Sequence, residues 1–107
     1  MTTEVKITKD AAETVRIDHP ESNYGIFCFN SLGDLFLNSD YGAYCYAWRH
    51  YGTDRPFKDF LKQCNSEYVF GKFQSNHYYL NKKKLPKHVE KHVCNLIDEL
   101  IKALKAE

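Results

Sequence analysis

The spacing of apolar residues changes period once along this chain, and that change limits the fold more than any single motif does. Up to Trp48 the apolar side chains alternate with polar ones or run in short blocks, whereas beyond Gly52 they recur every three or four residues. A period of two belongs to a half-buried strand and a period near 3.6 to a helix with one apolar stripe. Strands gathered before helices predict an α+β domain whose helices cover one face of an antiparallel sheet.

In the strand half, Thr14-Val15-Arg16-Ile17 places Val15 and Ile17 on one face. Gly25-Ile26-Phe27-Cys28-Phe29 is apolar on both faces, as a central strand requires, and Leu35-Phe36-Leu37 is its expected partner. His19 to Asn23, Asn30-Ser31-Leu32-Gly33 and Ser39-Asp40-Tyr41-Gly42 carry turn residues between these runs. Ala43 to Trp48 alternates strictly, with Tyr44, Tyr46 and Trp48 on one face and Ala43, Cys45 and Ala47 on the other. The expectation is a three- or four-stranded meander. Residues 1–13 are polar and loosely patterned, with a short strand expected at Val5–Ile7.

In the helix half, Phe57, Phe60, Leu61 and Cys64 fall on one helical face, with Thr53 or Asp54 as a cap and Pro56 in the first turn. Ser66 can cap a second short helix through Phe73, although Tyr68-Val69-Phe70 suits a strand equally, and Tyr78-Tyr79-Leu80 is likewise ambiguous, with an edge strand as one reading. Pro86 opens a long C-terminal helix. Its stripe is Val89, Val93, Leu96, Leu100 and Leu104, widened by Ile97 and Ile101. At roughly 20 residues it would be about 30 Å long, enough to cross a small sheet.

A chain of 107 residues suits a single domain, and 43% apolar with 15% aromatic residues excludes global disorder. The net charge of +1 creates no strong overall field towards nucleic acid or membrane. The charge is uneven, however: residues 1–45 carry three basic and seven acidic side chains, and residues 46–107 carry twelve and seven. No window approaches the ~18 apolar residues of a membrane span, and the first ten residues lack a secretory pattern. A cytoplasmic location is expected. Four cysteines without a CxxC pair read there as free, mostly buried thiols.

Motifs for chemistry are sparse. His88 and His92 stand four apart on a helix, which is metal-ligand spacing, but Glu90 lies ~200° from His88 around the helix and cannot share a metal-bound water with the pair. Two helical histidines beside an apolar stripe are more often boundary residues than ligands. Cys28, Cys45 and Cys64 read as small hydrophobes, and Cys94 points away from the main stripe with no histidine placed against it. Asp34 and Asp40 sit in turn contexts. No phosphate-binding glycine loop or nucleophile elbow occurs. No catalytic residue, metal or cofactor is expected.

The aromatic strand offers two readings. Tyr44, Tyr46 and Trp48, followed by Arg49, either fill the core under a helix or form an exposed recognition face. An exposed face would suit a protein partner, since Tyr, Trp and Arg dominate hot spots. It would also suit single-stranded nucleic acid, with Lys82, Lys83, Lys84, Lys87 and Lys91 adding charge.

Ser39-Asp40-Tyr41-Gly42-Ala43-Tyr44, Tyr46-Ala47-Trp48, Phe57-Lys58-Asp59-Phe60-Leu61 and Tyr68-Val69-Phe70-Gly71-Lys72-Phe73 resemble small accessory proteins encoded by phages and prophages, over roughly residues 34–73. That group carries no catalytic residues to transfer. The resemblance implies a non-catalytic protein that binds and modulates or inhibits a bacterial host protein or defence complex. Expected contacts are Asp40, Tyr44, Tyr46, Trp48 and Arg49. The alternatives are a nucleic-acid binder using the strand aromatics and the Lys82–Lys91 segment, and a small enzyme or metal protein using His88 and His92. An uncovered sheet face would also permit a homodimer.

Overall fold

The computed structural model describes residues 4–51 and 55–107. Strands β1 (Ala12–His19), β2 (Asn23–Asn30), β3 (Asp34–Ser39) and β4 (Gly42–Ala47) form an antiparallel sheet in the order β1-β2-β3-β4. Among the described residues three helices follow: α1 (Phe57–Lys62), α2 (Ser66–Asn81) and α3 (Lys87–Lys105). The expected α+β meander is the observed fold, with four strands and the long C-terminal helix.

Each hairpin is closed by local chemistry. At the β1–β2 turn His19 Nδ1 accepts from the backbone N–H of Glu21 and Ser22, and Asn23 takes the left-handed φ of 62°. At the β2–β3 turn Asn30 Oδ1 accepts from the N–H of Leu32 and Asp34. Gly33 there has φ +90°, and an added Cβ would lie 2.0 Å from the Trp48 carbonyl oxygen. Only glycine fits that position. The two-residue Asp40-Tyr41 link is held by Ser39, whose Oγ donates to the Gly42 carbonyl and accepts from the Tyr41 N–H.

Register fixes which side chains share a face. Val15, Phe27, Leu37 and Tyr44 form one row across the sheet, and Glu13, Phe29, Leu35 and Tyr46 the next. This inner face receives the helices. The α3 stripe from Val89 to Leu104 is buried throughout and packs over β1 and β2, while α2 lies along β4. Gly25 lets α3 come close, because a Cβ there would meet Leu96 Cδ1 at 3.0 Å.

Several expectations change in detail. Val5–Ile7 is not a strand, and both apolar residues are exposed. Residues 66–81 form one 16-residue helix, capped by Asn65, whose side chain accepts from the Tyr68 N–H, so Ser66 is a helical residue. Tyr78-Tyr79-Leu80 therefore belongs to the last turns of α2 and not to an edge strand. The β propensity of adjacent aromatics is overridden by continuation of an already nucleated helix, which ends only where Lys82 turns left-handed. The proposed Thr53 or Asp54 cap lies outside the described residues.

Candidate binding surface

The five expected contact residues divide into two groups. Trp48 lies just beyond β4 and is only 7% exposed. Its ring packs near Phe57 (5.7 Å), Phe60 (6.0 Å) and Tyr68 (6.4 Å), and Nε1 donates to the Tyr68 hydroxyl at 3.1 Å. Tyr44 faces Phe73 and His77, and its hydroxyl, whose pKa burial raises, donates to the Tyr41 carbonyl. Tyr46 meets Trp48 edge-on at 4.8 Å, and Lys72 Nζ stands 5.5 Å above the Tyr46 ring and 5.4 Å above that of Tyr68. An exposed aromatic platform on this strand is therefore corrected: Tyr44, Tyr46 and Trp48 belong to the covered side, because large inner-face side chains are the ones a helix must bury.

Asp40 and Arg49 are exposed, at opposite ends of the β3–β4 hairpin. Arg49 pairs with Asp34 at 2.9 Å and donates to the Leu32 carbonyl at 2.9 Å, so it braces the β2–β3 turn while staying open to solvent.

The second sheet face was not singled out by the aromatic pattern. Its rows are Thr14, Cys28, Phe36 and Cys45, then Arg16, Ile26, Asn38 and Ala43, then Ala12, Asn30, Asp34 and Ala47. Among the described residues no helix covers it. Phe36 stands at its centre, 49% exposed, between Cys28 and Cys45. A shallow hollow of about 300 Å³ opens beside it, lined by Asp34, Phe36, Cys45 and Asn76. Asn76 of α2 donates to the Cys45 carbonyl at 3.0 Å and so closes part of the β4 edge. The available signal was parity: Phe36 is a large apolar residue out of step with inner-facing Leu35 and Leu37.

The cysteines are all free and only partly buried, so the expectation of mostly buried thiols is corrected. Cys28 and Cys45 are two strands apart, roughly 10 Å at the usual strand spacing, beyond disulfide reach. Burial, then the charge of Glu90, pushes the Cys94 thiol up to about 11, and burial also raises Cys64. Such thiols stay protonated at neutral pH and are poor nucleophiles.

The two helical histidines are used differently. His92 Nδ1 lies 2.9 Å from Ser22 Oγ, which accepts from Asn95 Nδ2 at 3.0 Å, and the His92 ring stacks on Tyr41 at 4.4 Å with an 8° tilt. The Ser22–His92 pair resembles a nucleophile–base contact, but Ser22 is fully buried and no substrate carbonyl can reach it. The trio instead pins the β1–β2 turn to α3. His88 is exposed, and no group of three His, Cys, Asp or Glu side chains placed to hold a metal occurs among the described residues.

A family model described as a phage family matches residues 5–105, nearly the whole chain. The chain belongs to this phage family. No curated protein and no solved structure matches it.

In the phage protein the lysines lie apart from the strand aromatics. Lys82, Lys83 and Lys84 occupy the α2–α3 connection, and Lys87 and Lys91 are exposed on the first turns of α3. The aromatic residues exposed beside them are Tyr78 and Tyr79. No helix among the described residues is long and apolar enough to cross a membrane.

Proposed function

We propose that this phage protein is a non-catalytic binding protein that engages a bacterial host protein, a defence complex included, and modulates or inhibits it by occupying its surface. The observation that carries the reading is the uncovered sheet face centred on Phe36. A contiguous apolar patch marks an interaction site, and here Phe36 is surrounded by the half-buried Ile26, Cys28 and Cys45 on the same face. The charges on and around this face, Arg16, Asp18, Asp34, Asp40 and Arg49, are mixed in sign, which suits a protein surface better than a phosphate backbone.

Size sharpens the proposal. Four strands about 4.8 Å apart and six residues long span roughly 400 Å². A stable protein interface needs about 800 Å² per partner. The contact therefore extends over the rim, where Asp40 and Arg49 stand at the two ends of the β3–β4 hairpin. These two remain proposed contacts, whereas Tyr44, Tyr46 and Trp48 act by supporting the sheet from behind.

The test is affinity capture from nuclease-treated bacterial lysate, with wild type and Phe36→Asp side by side and the thiols probed by alkylation. A stoichiometric protein lost with Phe36→Asp, whose binding shields Cys28 and Cys45, supports the reading. Capture unchanged by Phe36→Asp, or no protein partner, sinks it. Shielding of both thiols in the isolated protein, together with a doubled mass by light scattering, would assign the face to a homodimer instead.

A further inference from the structure

We infer that the tip formed by the end of α2 and the α2–α3 connection is a binding site for single-stranded nucleic acid, separate from the open sheet face. Residues 82–91 hold five lysines and one acid, Glu90, a net of +4. The whole chain carries +1, so everything outside this segment carries −3. The positive charge is thus concentrated in the α2–α3 connection and the first turn of α3.

Beside the lysines three consecutive large side chains are exposed: Tyr78 at 50%, Tyr79 at 72% and Leu80 at 69%. Asn76 and His77 still contact β4, so the last turn of α2, from Tyr78 to Asn81, projects past the packed body. The projection is tied down. Gln74 Oε1 accepts from the Leu85 N–H at 2.8 Å, Asn81 Nδ2 donates to the His77 carbonyl at 3.1 Å, and the Lys82 N–H donates to the Tyr78 carbonyl at 2.7 Å. These rings are held out in water by a hydrogen-bonded scaffold.

Lys82 Nζ sits over one face of the exposed Tyr79 ring, 5.2 Å from its centroid, so a cation and an aromatic ring are presented together. A nucleotide offers the matching pair, a phosphate and a base. An anionic membrane fits less well. Successive helical residues point ~100° apart, so Tyr78, Tyr79 and Leu80 diverge and make no single stripe to lie in a bilayer. Divergent rings suit bases splayed along a flexible strand.

The experiment is fluorescence anisotropy of a labelled oligothymidylate, about 15 nucleotides long, titrated with the full chain at several salt concentrations. Binding at low salt should weaken with a log–log slope of about −2 to −3, as three or four phosphate contacts on a single strand give. Tyr79→Ala should weaken binding about fivefold or more with the slope kept, since stacking is not a counterion effect. Lys83→Ala/Lys84→Ala/Lys87→Ala should remove about 2 from the slope and leaves Lys82, the left-handed cap, in place. Circular dichroism confirms that the variants are folded, and Phe36→Asp should bind the oligonucleotide like wild type. Absence of binding at low salt, or affinity and slope unmoved by both tip variants, overturns the inference. Binding to vesicles containing phosphatidylglycerol without binding to the oligonucleotide overturns it in favour of a membrane surface.

Discussion

Replacing Trp48 with alanine deletes an indole that is 7% exposed, wedged among Tyr46, Phe57, Phe60 and Tyr68, and hydrogen-bonded to the Tyr68 hydroxyl. A buried aromatic removes about 150–250 Å² from water, which at ~25 cal/mol/Å² corresponds to roughly 4–6 kcal/mol for complete exposure. Alanine keeps part of that burial, but a cavity remains, and measured aromatic-to-alanine losses are about 3–5 kcal/mol. For a domain whose total stability is about 5–15 kcal/mol, most of the fold is at stake. Trp48→Phe keeps a ring in the site and leaves the half-exposed Tyr68 hydroxyl to water, so its loss should be only about 1–2 kcal/mol. Phe36→Ala, from the open face, should cost about 1 kcal/mol or less. Urea denaturation followed by far-ultraviolet circular dichroism measures all three without depending on Trp48 fluorescence. If Trp48→Ala costs under 1 kcal/mol while Phe36→Ala costs over 2, the assignment of one sheet face as core and the other as surface is wrong.

Ser22→Ala should lower stability by about 1–2 kcal/mol, because it strands the facing groups of His92 and Asn95; a fall of roughly 4–15 °C in melting temperature would record it, and no shift would show that the turn does not depend on the trio. Gly33→Ala should cost at least about 2 kcal/mol, since the strained φ is joined by a clash with the Trp48 carbonyl; a neutral result in the same urea titration would disprove that geometry. Alkylation of native protein near pH 8, read by peptide mass spectrometry, should leave Cys94 among the slowest thiols, and fast labelling there would contradict its burial. The same thiol has a pH signature. The unfolded chain ionises it near 9 and the folded chain near 11, so its contribution is intact below 9 and lost as pH rises to 11. Cys94→Ala should flatten that portion of a stability–pH curve.

Fold class was legible because period and burial agree. The strict alternation of Ala43 to Ala47 divides a strand into two faces, the α3 stripe from Val89 to Leu104 states which side of that helix faces in, and the structure keeps both. The aromatic strand was legible only as far as parity. Sequence showed that Tyr44, Tyr46 and Trp48 share a side, but whether a helix lies there depends on the path of α2, a tertiary fact. The end of α2 failed for a different reason. Tyr78, Tyr79 and Leu80 have strand-like propensity and no core to face, so nothing periodic marked them as helix. The Ser22–His92–Asn95 trio joins residues 70 and 73 positions apart, and no local pattern announces such a contact. The open face had one sign, Phe36 out of phase between two inner leucines.

The order of the elements has a further effect during synthesis. The sheet is complete at Ala47, but the helix that covers β1 and β2 ends at Lys105. At 5–20 residues per second, translation of the intervening stretch takes about 3 to 12 s. Hairpins zip in microseconds, so the meander waits on the ribosome for its lid. Through those seconds Phe27, Phe29, Leu35 and Leu37, all buried in the finished protein, lack the helix that covers them and are open to water or to a chaperone.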